Sequence, residues 1–328
     1  MKKRLSISDI ANNLGVSVTT VSFILNGKAK EKRISDALTK RVMDYVKKVD
    51  YKPNQLAKSL RTGKTRSIGL LVEDISNPFF ANIAERIEKL AYDQGYHIIY
   101  CSMKSDEQRA KELIQLFYDR RIDGFIIAPT QGLTHVINNL LKSGVPVVLF
   151  DRPLADVDTH TVVSENVNGA YEGTMYLLDI KKAKRIGFVT TSSTQAQMKG
   201  RLDGYIKAIE TVGMDLLVKK INYSQEEEEV LEQLKDFISD NKLDGILFAT
   251  NYLAINGLKA IRKYNLAVEK LISFDENTTF GLVDPPVSAI SQNIQEIAQE
   301  VVRILVNQIN GKLGAMEKVV VPCTLIAR

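Results

Sequence analysis

The sequence predicts an α/β fold in which a small all-α head precedes a larger body of alternating strands and helices. Two observations in the body carry this prediction, and a third sets the head apart. From Ser67 onward, apolar strand candidates (SIGLLVED, HIIYCS, GFIIAP, PVVLFD, RIGFVTT, GILFAT and KLISFD) are for the most part separated by amphipathic segments of helix length, the pattern of a parallel sheet with helical crossovers. The pattern also repeats. SIGLLV resembles RIGFVT at an offset of 118 (Ile68 to Ile186), DGFIIAPT matches DGILFAT at 121 (Asp123 to Asp244), and LFD matches SFD at 124 (Asp151 to Asp275), so the body holds two similar α/β units. Two such units facing each other form a cleft at the carboxyl ends of their strands. The third observation is charge. Residues 1–66 hold sixteen Lys and Arg against five Asp and Glu, +11, leaving −6 for the remainder of a chain whose net charge is +5. A basic head on an acidic body marks a polyanion-binding module.

With 328 residues, 45% of them hydrophobic, the chain can bury a large core and hold two or three domains. No run of about eighteen apolar residues occurs. The basic start MKKRLSISDIANN leads into polar helix, so neither a membrane span nor a signal peptide is expected, and the implied location is the cytoplasm. Cys101 and Cys323 stand far apart without CxxC spacing and read as two buried thiols rather than a disulfide framework or a zinc site.

In the head, Ser6 or Ser8 can cap a first helix through Asn13, with Ile7, Ile10, Ala11 and Leu14 on one side. Gly15 permits the turn, and Ser17 caps a second helix whose Val21, Ile24 and Leu25 face inward. A third helix from about Ser35 to Val49 buries Leu38, Val42, Tyr45 and Val46. At about 100° per residue, Thr19, Ser22 and Phe23 lie opposite the buried stripe of the second helix, so Phe23 points outward. The plainer reading is that its ring folds back over Val18 or the third helix and extends the small core. In YKPNQLAKSLRTGKTRS, residues 51–67, Pro53 and Asn54 start a helix of only about two turns before Gly63, too short to hold alone in water; it must fold against a partner. Gly63-Lys64-Thr65 does not end a phosphate-binding loop, since position 58 is Lys where Gly is required and no buried strand precedes it.

The strand ends supply the candidates for small-molecule recognition. These are Phe79 and Phe80 after the first strand, Asp151, Asn251 and Asp275 at other strand ends, Arg201 in MKGRLDGY ahead of a helix, and Gln292 after SAIS. Carboxylates and amides exchange hydrogen bonds with hydroxyls, a guanidinium fork donates two at once, and an aromatic face covers ring CH groups, so together they suit a polyhydroxylated ligand. Singly, a strand-end Asp reads as a helix cap and paired Phe as core. Catalysis has less support. His97, His135 and His160 lack metal-ligand spacing, no GxSxG, GxGxxG or HExxH occurs, and Glu226 to Glu229 read as acids at a helix N-terminus. No cofactor, metal or catalytic residue is assigned.

Through ISDIANNLGVSVTTVSFILNGK, YKPNQLAKSLRTGKTRSIGLLVEDISNPFF, LFDRP, GRLDGY and DGILFATN followed by ISFDEN, the chain resembles over essentially its whole length the lac repressor and galactose repressor family of bacterial transcription regulators. The resemblance implies a helix-turn-helix DNA-binding domain at 1–50, a hinge helix and linker at 51–66, and an effector-binding and dimerisation domain of the type I periplasmic-binding-protein kind at 67–328. One subdomain of the latter covers about 67–165 and 292–313, the other about 166–291 and 317–328. It implies a homodimer on double-stranded operator DNA, with recognition helices in successive major grooves and hinge helices folded in the minor groove, where Leu60 wedges between base steps. Effector binding would rotate the subdomains and order or release the hinge helices. The DNA-facing candidates are Ser17, Val18, Thr19, Thr20, Ser22, Phe23 and Asn26, then Lys28 and Lys30, and in the hinge Asn54, Ala57, Leu60 and Arg61. The positions matching Asp151, Arg201, Asn251, Asp275 and Gln292 line or border the family's effector pocket.

Departures from the family pattern matter too. Family members usually have Arg where this chain has Phe23. The link Lys28 to Arg33 (KAKEKR) is longer and more basic, adding phosphate contacts, and Tyr252 replaces an Asp expected to cap the following helix. No leucine-repeat tail follows Arg328, so tetramers of the lac-repressor kind are not expected. The expectation is a repressor of carbohydrate-related genes, not an enzyme, with a sugar or sugar derivative as effector. A non-sugar effector such as a nucleobase, a sugar-transport protein and a sugar-modifying enzyme are the alternatives, and a transport protein has no use for a basic head. Removing residues 1–66 should abolish duplex binding while leaving small-ligand binding intact. For the whole protein, log affinity should fall with log salt by about 0.9 for each phosphate contacted; DNA titrations at several salt concentrations check both.

Overall fold

The computed structural model describes residues 5–51, 59, 63–222, 225–312 and 314–328. Two compact units divide between Thr65 and Arg66. In the first, α1 (Ile7–Leu14), α2 (Val18–Leu25) and α3 (Asp36–Lys48) each begin at a serine whose hydroxyl accepts a first-turn N–H, Ser6 from Asp9, Ser17 from Thr20 and Ser35 from Leu38. Ser6 rather than Ser8 caps α1, because the Asp9 carboxylate closes the reciprocal bond by accepting the Ser6 N–H at 2.8 Å. Gly15 follows with φ of 61°, the left-handed conformation that ends the helix. Among the described residues of the head, Ile10, Ala11, Val21, Ile24 and Val42 are buried, with Leu14, Leu25, Leu38, Tyr45 and Val46 half-buried around them. With so small a core, caps worth about 1 kcal/mol each are a large share of what holds the head. The basic link is itself turned: Lys28 N–H donates to Phe23 O, Lys32 to Lys28 O, and Ile34 to Ala29 O. The hinge candidates Asn54, Ala57, Leu60 and Arg61 lie outside the described residues.

The second unit is built on two six-stranded sheets of like order. In the first, β1 (Ser67–Val72), β2 (His97–Ser102), β3 (Gly124–Ile127), β4 (Val147–Phe150), β5 (His160–Ser164) and β11 (Lys318–Val321) run in the order β11-β5-β4-β3-β1-β2. In the second, β6 (Ile186–Thr191), β7 (Leu217–Ile221), β8 (Gly245–Phe248), β9 (Lys270–Phe274), β10 (Val287–Gln292) and β12 (Cys323–Ile326) run β12-β10-β9-β8-β6-β7. All pairings are parallel except β10 with β12. The matching order is what the internal repeat encodes. Helices α4 (Pro78–Asp93) and α11 (Ile294–Ile309) cover one face of the first sheet, and α5 (Glu107–Asp119) and α6 (Thr134–Lys142) the other. Around the second sheet pack α7 (Asn166–Asp179), α8 (Ala196–Val212), α9 (Glu227–Asp240) and α10 (Asn251–Tyr264).

The chain passes between the sheets at Glu165, at Gln292 to Asn293, and at Pro322. Hydrogen bonds tie these crossings together, Glu165 N–H to Val321 O at 2.9 Å and Ser164 Oγ to Gln292 Oε1. The last crossing corrects one expectation: residues 318–321, assigned with 317–328 to the second subdomain, pair with β5 in the first sheet, because Val321 fills the first core and the chain changes sides only after it. Strands β5, β7, β10, β11 and β12 went unread in the sequence because they mix polar with apolar residues. The thiols of Cys101 and Cys323 are half-buried rather than buried. Desolvation still pushes the Cys323 thiol up to about 12, far from a reactive thiolate.

Buried His160 secures the sheet edge where β11 joins: its Nδ1 accepts the Glu317 N–H at 3.0 Å, which only an unprotonated nitrogen can do. Burial lowers its pKa from the ordinary 6.5, Arg303 adding to the effect and Glu317 opposing it. The unfolded chain therefore takes up the proton first as pH falls, and this contribution is present above 6.5 and lost as pH falls through the lower folded value. His160→Asn, whose Oδ1 can accept the same bond, should reduce the drop in melting temperature between about pH 7.5 and about pH 5.5; thermal melts at the two pH values check it.

Candidate functional site

Asp151 after β4 and Asp275 after β9 occupy equivalent places in the two repeats, and both are left-handed, with φ of 67° and 71°. Asp tolerates that conformation better than most side chains. Each backbone N–H bonds to the neighbouring strand, Asp151 to Val162 O at 3.1 Å and Asp275 to Ile290 O at 2.9 Å, so the sharp turn delivers a carboxylate to one narrow chamber. Asp275 accepts from Gln292 Nε2 at 2.5 Å and from Arg201 Nη1 at 3.4 Å. Gln292 in turn accepts from Ser164, so the pocket carboxylate is linked by hydrogen bonds to a chain crossing. Burial pushes the Asp275 carboxyl above its ordinary range; Arg201 and Gln292 pull the other way, and the Asp151 charge reinforces the rise.

Arg201 lies inside α8 rather than ahead of a helix, because buried Met198, Arg201 and Tyr205 continue one helical stripe past Gly200. Gly204 lets α8 close on α7: a Cβ there would stand 2.1 Å from the Val167 carbonyl oxygen. That approach brings Asn166, at the start of α7, to accept Arg201 Nε at 2.9 Å. Nη1 also donates to Ala249 O at 2.7 Å, and the guanidinium stacks 3.8 Å from the Phe274 ring centroid.

The chamber, with a volume of about 60 Å³, is lined by Phe79, Phe80, Asp151, Arg201, Asp275 and Gln292 from the sequence candidates. Beside it is a larger cavity of about 350 Å³ that Asn251 lines, and Glu73, Asn77, Phe80, Thr191 and Tyr252 border both. Phe79 and Phe80, edge-on at 5.1 Å, also belong to the first core, so wall and core readings of the pair hold together. The α10 cap is Thr250, which accepts the Leu253 N–H at 3.4 Å; the helix does not need a capping residue at 252, and Tyr252 lines the cleft. Sequence reasoning missed Glu73, Arg152 and Gln197. The first two sit in the strand-end words SIGLLVED and LFDRP and could have been read there; nothing in the sequence marks Gln197. Among the described residues, three polar atoms at the cleft are buried without a protein partner: Arg152 Nη1, Gln197 Oε1 and Asn251 Nδ2. Such atoms call for an explanation, and a polar ligand is one.

In the head, Ser17 and Thr20 are occupied by the cap, their hydroxyls 2.8 Å apart, and Asn26 Nδ2 bonds back to Ser22 O at 2.6 Å. Val18, Thr19, Lys28 and Lys30 are exposed. Phe23 is half-buried but is not among the side chains packed on the head's core; Lys32 Nζ lies 5.5 Å from its ring centroid.

A capped helix-turn-helix head and a two-sheet body with a polar cleft define an effector-responsive DNA-binding regulator of transcription. Residues 6–54 match the model for bacterial regulatory proteins of the lacI family, and residues 68–313 that for a periplasmic binding protein domain. The chain belongs to the lacI family, with a body of the periplasmic-binding-protein type. It is 28% identical to the HTH-type transcriptional regulator RegA of Clostridium saccharobutylicum, over 94% of this chain and 93% of that protein. It is 26% identical to the HTH-type transcriptional repressor PurR of Mannheimia succiniciproducens, over 98% and 97% respectively. The solved lac repressor dimer bound to operator and the anti-inducer ONPF shares the fold, with a TM-score of 0.86 at 18% identity, covering 99% of this chain and 98% of that one.

Arg201→Ala and Asp275→Asn should each weaken binding of any effector in this cleft by about tenfold or more, since an unpaired buried polar partner costs about 1–3 kcal/mol, and a charged one more. Circular dichroism should show the ligand-free variants folded, and calorimetry measures the loss.

Proposed function

We propose that this regulator is a dimeric repressor of carbohydrate-related genes, acting in the cytoplasm rather than as an enzyme, and switched by a sugar or sugar derivative held in the cleft. The observation that carries the reading is the convergence of acceptors Asp151 and Asp275, donor forks Arg152 and Arg201, and amides Gln292 and Asn251 beside the rings of Phe80 and Tyr252. Hydroxyls on a ring with apolar faces complement that set. The hydrogen-bonded crossings at Ser164 and Gln292 support transmission, because a ligand that moves Asp275 pulls on the segments joining the two sheets. A nucleobase effector is the second reading, favoured by the two aromatic rings at the cleft. A thermal-shift panel of sugars and nucleobases, followed by a genome-wide map of bound sites with and without the hit, tests both. Stabilisation by nucleobases alone would overturn the sugar reading.

On the DNA side, residues 1–50 dock α2 in the major groove and 51–66 form the hinge. The exposed Val18 and Thr19, with Phe23, form the reading face, and Lys28 and Lys30 contact phosphates. Phe has no donor for guanine but packs against the thymine methyl, and the Lys32 ammonium over its ring supports an outward position. In a randomised-operator selection, wild type should favour thymine at one position per half-site. Phe23→Ala should flatten the preference and Phe23→Arg should move it toward guanine, each step worth about 1–3 kcal/mol. A lower melting temperature for Phe23→Ala with base preference unchanged would return Phe23 to the core.

A further inference from the structure

We infer that Glu73 sets the charge the effector carries: by neutralising the Arg152 guanidinium at the inner chamber, it excludes a phosphate or carboxylate at that position. This rests on the reading of the cleft as the effector site. Arg152 is 4% exposed and borders the inner chamber. Its Nε and Nη2 hold Asp151 at 2.8 and 2.7 Å, and Nη2 also holds Glu73 at 2.7 Å. Nη1 alone is left without a partner. One NH2 group, with two N–H donors, therefore remains to be satisfied while the charge behind it is already outweighed by two carboxylates. A hydroxyl or ring oxygen meets that need; an anion would bring a third negative charge to one guanidinium.

Among the described residues, the other cation lining the cleft is Arg201, and the lysines paired with lining carboxylates offer no relief. Arg201 faces Asp275, Lys104 pairs with Asp74 at 2.7 Å, and Lys259 pairs with Glu227 at 2.5 Å. Among these groups the tally is one carboxylate in excess. The start of α8, where no side chain caps the first turn, is a feature that favours an anion, but it offers only the partial charge of a helix terminus.

The test compares full-length wild type with Glu73→Gln at constant ionic strength, by thermal shift and calorimetry. The probes are inorganic phosphate and two pairs, glucose with glucose 6-phosphate and ribose with ribose 5-phosphate. Wild type is expected to ignore phosphate and to bind any responsive sugar at least tenfold more tightly than its ester. Glu73→Gln should shift the balance tenfold or more toward the ester or toward phosphate. If that variant does not fold, Asp151→Asn, which removes the other carboxylate, is read in the same way. Wild type binding an ester as tightly as its parent sugar would overturn the inference, as would a folded variant with an unchanged balance. If no sugar binds either protein but phosphate binds the variant alone, the sugar reading falls and the role of Glu73 stands.

Discussion

Two carboxylates and two guanidinium groups are buried between the sheet ends, and the body is arranged around keeping them compensated. Leaving one charge of a buried pair unmatched costs about 3–5 kcal/mol, a large part of the net stability of an ordinary domain. Each Arg is therefore held from several directions. Arg201 has Asp275, Asn166, the Ala249 carbonyl and the Phe274 ring, while Arg152 has Asp151 and Glu73. Glycines at 169, 173 and 204 follow from the same demand, since α7, α8 and the second sheet must approach closely for Arg201 to reach its partners.

The compensation is uneven, and that unevenness suits a switch better than a scaffold. Arg152, Gln197 and Asn251 each keep one buried polar atom unsatisfied beside an inner chamber of about 60 Å³. A ligand seated in the chamber and the adjoining cavity of about 350 Å³ would satisfy those atoms. Because Gln292 joins Asp275 to Ser164 at the crossings, the energy of that binding is delivered where the halves are connected. A ligand biases such an equilibrium only through contacts that differ between the states, and the unsatisfied atoms supply that difference.

The head follows other physics. Its core is a handful of side chains, its helices are fixed by serine caps, and its excess of positive charge sits on a unit separate from the acidic body. Association with a polyanion and recognition of a small ligand thus draw on different residues, those of the head and those of the body.

Much of this was legible in the amino-acid order because the signals are local. Serine caps, Gly15, helical periodicity in the head, alternating strands and the 118 to 124 residue repeat all depend on neighbours along the chain, and they were enough to place Asp151, Asn251 and Asp275 at strand ends. What required tertiary structure was pairing across distance. Arg152 reaches Glu73, 79 positions away, and Ser164 reaches Gln292, 128 positions away. Likewise β11 joins the first sheet although β12, two residues later, belongs to the second. Composition and periodicity determine which elements form and which faces they bury. Which carboxylate neutralises which guanidinium, and which NH2 group is left over for a ligand, is decided only when the sheet ends meet, because those energies depend on a few ångströms of separation that no local pattern encodes.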